Sequence, residues 1–469
     1  MKVRYLVLGA AFLLAAGMAQ AQDAKSIVQR AQMAMGNPAT IELTGTGMNA
    51  FFGQALTAGK EWPRRDLESF RLAINYDQKA ATQELNFKNP VFGGQRQNAH
   101  VNDVKAWSLA PAGANPQLAA AEERQLQIWM TPHGFLRAAS ASPSATVKAG
   151  PNGSSLVTFQ ALNKFTLTGT IDAQGLVTRV ETLFPNPVLG DMPYAFTYSD
   201  YKDFGGVKIP TRIQQTGGGF TVNDLSVTKA QPNAPINIAV PDNVQAATMP
   251  AVRVESTKIG DGIWFVGGGS HHSVVVAFND YIAVIEAPQF EARSLAVIAE
   301  AKKLVPGKPI KYVISTHHHF DHSGGLRTYV AEGATVVSHV SNARYWEAAF
   351  AAPATLVPDA QSTARKKPSL QSVTDKHVIT DGKQTIEIYN TVGDEHSDEL
   401  LVVYLPAIKA LVEADSYSPG AAAGGPAPKN AVVLYDNIQR LKLDVATIIG
   451  VHGQGPEPIA QFKKFVGRN

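Results

Sequence analysis

The chain has 469 residues, enough for two or three domains, and its 45% hydrophobic and 17% charged residues are those of an ordinary globular protein with a substantial core. Its 42 basic and 39 acidic residues give a formal net charge of +3, which offers no electrostatic reason for a nucleic acid or an anionic membrane as partner. There is no cysteine, which excludes disulfides, thiolate nucleophiles and thiolate metal ligands, so any metal must be held by His, Asp and Glu.

In chain order, the first expectation is a signal peptide over residues 1–21. Lys2 and Arg4 give a positive start, Tyr5 to Ala16 form an apolar run too short to span a membrane, and Ala19-Gln20-Ala21 supplies a small-x-small cleavage pattern. Cleavage after Ala21 would place the protein in the periplasm or outside the cell. It would also leave 40 basic against 39 acidic residues, after loss of Lys2 and Arg4 from the total of 42. No later apolar run reaches spanning length, so no membrane partner is expected.

Residues 22–250 read as a mostly-β N-terminal domain. A helix is predicted over Ala24 to Met35. Leu156 to Phe159, Lys164 to Ile171 and Gly175 to Glu181 then alternate apolar and polar residues between Gly, Asp and Asn breaks, and Ala195 to Tyr198, Val207 to Pro210 and Phe220 to Val222 continue the series. This pattern predicts a curved antiparallel sheet, and faintly resembles the half-barrels of periplasmic lipoprotein carriers. His100 and His133 have no metal-type spacing and are expected in surface or core roles. Gln231 to Pro250, rich in Pro, Asn and Ala, is expected to be a linker.

Residues 251–469 change texture. Strand patterns at Gly262 to Val266, Val274 to Phe278 and Tyr281 to Glu286, a helical pattern over Glu291 to Leu304, a strand at Lys311 to Ser315 and a helix over Gly324 to Ala331 predict an α/β layered domain. The strand at Lys311 runs straight into Thr316-His317-His318-His319-Phe320-Asp321-His322. Four of the chain's twelve histidines fall in this stretch. Side chains alternate along extended backbone, so His317 and His319 share one side and can meet one cation. Asp321 and His322 follow where the chain turns and can reach a second. His318 falls on the opposite side and is expected to pack.

His317-x-His319-x-Asp321-His322 after a strand is similar to the signature of the metallo-β-lactamase superfamily, and the resemblance extends loosely over residues 252–465. It implies a four-layer αβ/βα sandwich with the metals at one edge between two sheets. It also implies the remaining ligands: His396 before Leu401 to Pro406, Asp415 after Leu411 to Ala414, and His452 beside Gly453. On that pattern His317, His319 and His396 hold one ion, Asp321, His322 and His452 hold the other, and Asp415 bridges them. Zinc, two ions per chain, suits these N and O donors. Iron and manganese are alternative occupants. His271 and His272, on the Gly-rich turn, have two readings: substrate contact or a solvated hairpin turn. His339 and His377 fit no ligand position.

The resemblance therefore implies an exported binuclear zinc hydrolase, in which a metal-bridging hydroxide oriented by Asp321 cleaves an ester, thioester, lactone or amide of a small molecule. Asp415 stands where β-lactamases of the superfamily commonly carry Cys or Ser, which points toward the thioesterase, lactonase and phosphodiesterase branches. The N-terminal domain is expected to be dispensable for the chemistry and to roof the cleft or join subunits; the oligomeric state is open. Ala352 to Asp375 is expected to be an insertion, and Gly420 to Pro428 a loop beside Asp415. Two rival readings are a mononuclear iron oxygenase using His317, His319 and Asp415, and a non-catalytic periplasmic protein whose sheet captures an apolar ligand.

Overall fold

The structure, a computed structural model, describes residues 23–89, 94–422 and 426–468. The expected signal peptide lies outside the described residues, as does part of the Gly420 to Pro428 loop. The chain divides into two compact units, the second of which is not one continuous stretch: it comprises Phe52–Pro63, Pro185–Asp191 and everything from Ala251 on.

The first unit is a thirteen-stranded sheet whose described pairings are antiparallel. Its first strand, Thr40–Ala50, lies centrally between Arg64–Asn75 and the last strand, Phe220–Pro232. The helix expected from Ala24 covers residues 23–35. The six strands between Thr40 and Pro116 were not anticipated, because their apolar residues are interrupted by Gln, Asn and Arg. Two further helices, Ala121–Met130 and Pro132–Ala141, also escape the sequence pattern. Local chemistry sets their junction: Thr131 is extended, its hydroxyl accepts from Gly134 N at 3.2 Å, and Pro132 occupies the first helical position. His100 is buried, bonded to Thr82 and stacked on Trp107, and His133 is buried beside Met35 O. The expected linker is packed chain. Phe220–Pro232 extends into it, Asp242–Ala246 is helical, and Ile238 and Val244 bury against Ala80 and Trp107.

The second unit holds two sheets. One has seven strands in the order Glu255–Gly260, Ile263–Gly267, Ser273–Ala277, Ile282–Ile285, Ile310–Ile314, Thr335–His339 and Ser369–Val373, antiparallel at first and parallel from Ile282–Ile285 on. The other has six, from Lys376–Thr380 to Pro456–Pro458, with Ala410–Glu413 and Thr447–Gly450 parallel. Strands buried on both faces must be apolar throughout. Val274, Val276 and Ile285 accordingly meet Leu401, Val403 and Val412 between the sheets. Val275 and Val284 face the helices Glu291–Leu304 and Leu326–Glu332, and Val402 and Leu411 face Lys429–Arg440 and Ile459–Phe465. The layers are helix, sheet, sheet, helix, the αβ/βα sandwich that the motif implies. Ala352 to Asp375 is not a plain insertion, since Ser369–Val373 is the edge strand of the first sheet.

The chain turn after the histidine cluster needs its two glycines for space. A Cβ on Gly324 would lie 1.9 Å from the carbonyl oxygen of Gln289, and one on Gly325 would lie 1.8 Å from Ser294 Oγ. Backbone cannot swing aside, whereas a serine hydroxyl can rotate. Gly324→Ala is therefore expected to cost about 1–3 kcal/mol by overpacking, with a smaller cost for Gly325→Ala. Thermal unfolding of the two variants ranks them; equal midpoints, both at the wild-type value, would refute the crowding argument.

Candidate metal centre

The candidate ligands lie where strands of the second unit end. Ile310–Ile314 leads into His317 and His319, and a short helix, Phe320–Ser323, carries Asp321 and His322. Asp415 follows Ala410–Glu413, and His452 follows Thr447–Gly450. His396 sits in the loop before Leu401–Leu405. Two sets of donor atoms result, each within 4.8 Å internally: His317, His319, His396 and Asp415, and His271, Asp321, His322 and His452. The structure thus brings together all seven residues expected to bind metal, and adds His271 to the second set.

Asp415 joins the sets. Its Oδ2 lies 2.8 Å from His396 Nε2, 3.0 Å from His322 Nε2 and 3.4 Å from His317 Nε2, while its Oδ1 lies 2.9 Å from His452 Nε2. His322 Nε2 and His452 Nε2 are 3.1 Å apart. The backbone at Asp415 is left-handed, φ 64°, a strained conformation for a residue with a Cβ. Glu413, fully buried, holds it there by accepting from Ser416 N and Tyr417 N at 3.2 and 3.1 Å.

Three of the imidazoles, those of His317, His319 and His322, are aimed by the nitrogen that faces away from the centre. His317 Nδ1 meets Thr316 Oγ1 at 3.0 Å. His319 donates from Nε2 to the carbonyl of Ala55 at 2.9 Å, leaving its buried Nδ1 with no hydrogen-bond partner among the described residues. His322 donates from Nδ1 to Glu286 Oε2 at 2.8 Å; the other oxygen of that carboxylate accepts from Thr316 N at 2.8 Å. Gln54 donates to Asp321 Oδ1 at 2.7 Å, which leaves Oδ2 facing the second set. A metal ligand whose second nitrogen is engaged by an outer partner is fixed in both tautomer and orientation.

Gln54 and Ala55 belong to the segment Phe52–Pro63, which also binds Phe320 N through Gly53 O at 3.1 Å and Asp398 N through Leu56 O at 2.9 Å. Phe52, Trp62 and Phe320 form an edge-on aromatic trio with centroids 5.0–5.4 Å apart. The expectation that the N-terminal half is dispensable for the chemistry is thus corrected: Phe52, Gly53, Gln54, Ala55 and Trp62 pack on the ligand loop. The sequence gives no sign of this, since one contact is a backbone carbonyl and both cross more than 260 positions. Glu286 was also missed as a site residue, although a carboxylate ending an apolar strand was a readable sign.

The other histidines divide. His318 turns away and pairs with the buried Glu399, as its side of the chain dictates. His271 and His272 are both buried, so the solvated hairpin turn is excluded. His272 donates to Gly453 O at 2.9 Å beside the Phe265 ring and joins neither set. His339 bonds Ser341 and caps a short 3-10 turn, and His377 lies on the strand Lys376–Thr380, away from the centre.

Burial and the neighbouring His322 push His317 down to about 3, and burial with the adjacent imidazoles holds His319 well below its ordinary value. Burial opposes the charged form of His322 too, but Asp415 and Glu286 outweigh it and raise this imidazole well above the usual range. Burial would raise Asp321 and Asp415. For Asp321 the hydrogen bond from His271 and the charge of His322 prevail; for Asp415 the charge of His322 and hydrogen bonds from His317, His322 and His396 prevail. Both carboxylates stay below their ordinary range. Burial thus disfavours the charged forms of His317 and His319, whereas His322 is pushed toward its protonated form and Asp321 and Asp415 toward their ionised forms.

The donor set fits a divalent transition metal. It is nitrogen and oxygen only, and a buried imidazole nitrogen without a partner is a costly feature unless an ion satisfies it. Residues 266–403 match the metallo-β-lactamase superfamily. Similar solved structures include a metallo-β-lactamase from Pontibacter korlensis, with 18% identity, a TM-score of 0.35, and coverage of 46% of this chain and 98% of that one. The FIM-1 metallo-β-lactamase from Pseudomonas aeruginosa in its mono-zinc form gives 16%, 0.35, 46% and 94%, and rubredoxin oxygen:oxidoreductase from Desulfovibrio gigas gives 16%, 0.35, 45% and 61%. No curated protein matches the chain. The C-terminal unit carries a domain of the metallo-β-lactamase superfamily, with the clustered ligands of a metal-dependent hydrolase.

Two predictions follow from the ligand geometry. Glu286→Gln removes the negative charge beside His322 and leaves one acceptor oxygen where two are used, by His322 Nδ1 and Thr316 N, so metal affinity at the second donor set is expected to fall about 10–100-fold with a smaller effect on the first; competition with a chromophoric chelator measures both. In the first donor set burial holds His317 and His319 below their ordinary range, whereas a metal taken up by the second set must displace the proton that Asp415 and Glu286 favour on His322. Binding at the second set is expected to release a proton at pH 7 and to weaken as pH falls. Calorimetry in buffers of different ionisation enthalpy detects that proton, and equal release for the two ions would contradict the assignment.

Proposed function

We propose that the protein is an exported hydrolase of small molecules that uses two zinc ions to cleave an ester, thioester, lactone or amide bond. The observation that carries this reading is Asp415, whose two oxygens reach imidazoles of both donor sets. His317, His319 and His396 would hold one ion, and Asp321, His322 and His452 the other, with Asp415 shared. When bound, two such ions supply an acidified water as nucleophile and polarise the bond under attack. The chain's own part is placement. Asp321, held at Oδ1 by Gln54, keeps Oδ2 available both as a ligand and as an acceptor that orients the nucleophile's proton. Glu286 and Thr316 lock the imidazoles, so that little reorganisation accompanies the reaction.

A mononuclear oxygenase using His317, His319 and Asp415 would leave the second donor set without a task. The complete second set favours two ions over one. An Asp at position 415 rather than Cys or Ser supports carboxylic or phosphoric ester chemistry over β-lactam cleavage. Export is supported by the Lys2 and Arg4 start, the apolar run and Ala19-Gln20-Ala21. Within the described residues no helix is long and apolar enough to cross a membrane.

The test is metal content followed by turnover. The purified protein is expected to hold close to two zinc per chain and to hydrolyse at least one member of a panel of lactones, thioesters, aryl esters, phosphodiesters and β-lactams. Chelation should abolish that turnover and added zinc restore it. One iron per chain with oxygen-dependent turnover would replace this reading with the oxygenase.

A further inference from the structure

We propose that His271 is a fifth protein ligand of the second ion, a role outside the ligand set that the sequence motif implies. The inference rests on the binuclear reading above.

Neighbouring ligands of one ion with bonds of roughly 2.0–2.2 Å lie roughly 3–4 Å from one another. His271 Nε2 is 3.3 Å from Asp321 Oδ2. That oxygen is 3.7 Å from His322 Nε2 and 3.9 Å from His452 Nε2, and those two nitrogens are 3.1 Å apart. These four separations are those of ligands on a single cation, and all the donor atoms of the set lie within 4.8 Å of one another. The His271 ring lies 3.8 Å, centroid to centroid, from that of His452, and the two residues form an isolated backbone bridge. The turn before Ser273 is therefore tied directly to the strand end that carries an expected ligand.

The aim of His271 is fixed as that of a ligand is. Its Nδ1 meets Ser270 Oγ at 2.8 Å, and a hydroxyl can accept the Nδ1 proton, leaving the Nε2 lone pair to the centre. Gln289 Nε2 donates to the same hydroxyl at 3.2 Å and lies 3.4 Å from His271 Nδ1, so the ring's outer edge is held from two sides. The buried Arg293 donates from Nη2 to the carbonyls of Val266 and His271 at 3.3 and 3.2 Å, clamping both ends of the Gly-rich turn.

The two ions then differ in kind. The first has three imidazoles and Asp415. The second has His271, Asp321, His322, His452 and Asp415, one donor more. Five protein donors would suit a cation that accepts five or six ligands.

His271→Gln and His271→Ala, with the full chain, separate the possibilities. Glutamine places an amide N–H near the position of Nε2, so it can replace His271 as a hydrogen-bond donor to Asp321 but not as a nitrogen ligand. Zinc affinities are measured by chelator competition. Protein loaded with two cobalt(II) ions is examined by NMR for hyperfine-shifted, exchangeable imidazole N–H resonances. The expected result is that both variants bind the second ion at least about tenfold more weakly, bind the first as wild type does, and show one fewer shifted resonance. A glutamine variant with wild-type second-site affinity and an unchanged resonance count would overturn the proposal and leave His271 a donor to Asp321. Equal loss of both ions would also overturn it, by showing a general structural role. Wild-type protein that takes up fewer than two ions would defeat the binuclear reading itself, and this inference with it.

Discussion

A single carboxylate governs the arrangement of the centre. Asp415 stands within 3.4 Å of nitrogens on His317, His322, His396 and His452, which arrive from three separate stretches of chain. Were the two donor sets each to hold a divalent ion, as proposed, the ions would repel strongly at low dielectric, and anions between and beside them would be needed to make the pair tolerable. Asp415 between the sets and Asp321 at one side, both held ionised, would offset half of that charge. The remainder would favour a negatively charged nucleophile or a developing oxyanion. The left-handed backbone at Asp415 follows from this demand: the carboxylate must project from a strand end into a point shared by both sets, and the buried Glu413 holds the turn that allows it.

Around that point lies a layer whose members touch no ion but decide which nitrogen faces inward. Thr316, Glu286 and the Ala55 carbonyl each engage the outer nitrogen of one imidazole. The consequence shows in the protonation pattern. Burial and the surrounding imidazoles disfavour the charged forms of His317 and His319, whereas His322, set between Asp415 and Glu286, is pushed toward its protonated form. The same residue type in one short motif is thus prepared differently in the two donor sets.

Much of the centre was legible because its residues answer to one period and one exclusion. The alternation of His317 and His319 and the opposite facing of His318 follow from extended backbone, and the absence of cysteine restricts the donors to those found. The positions of His396, Asp415 and His452 were legible only through resemblance, since nothing in their local sequence sets them apart from loop residues. The two-faced strands of the second unit were readable as apolar runs. The first half of the large sheet was not, because strands such as Arg96–Asn102 and Gly113–Pro116 carry little apolar alternation and gain their place by pairing with neighbours. Gln54 was beyond reach because nothing near it in sequence hints at a partner such as Asp321, and His271 was ambiguous because a Gly-rich turn is as often solvated as buried.

The discontinuous composition of the second unit has a consequence for how this protein can be taken apart. A fragment starting at Ala251 would include every residue of the recognisable motif, yet it would lack the carbonyl that orients His319, the amide that holds Asp321 and two of the three rings of an aromatic wedge. Residues 185–191 would go too, and with them Asp191, which caps Thr355 and Leu356. Recombination of this hydrolase domain with a foreign partner would therefore succeed only if two short loops, separated in the gene from the domain they complete, travelled with it.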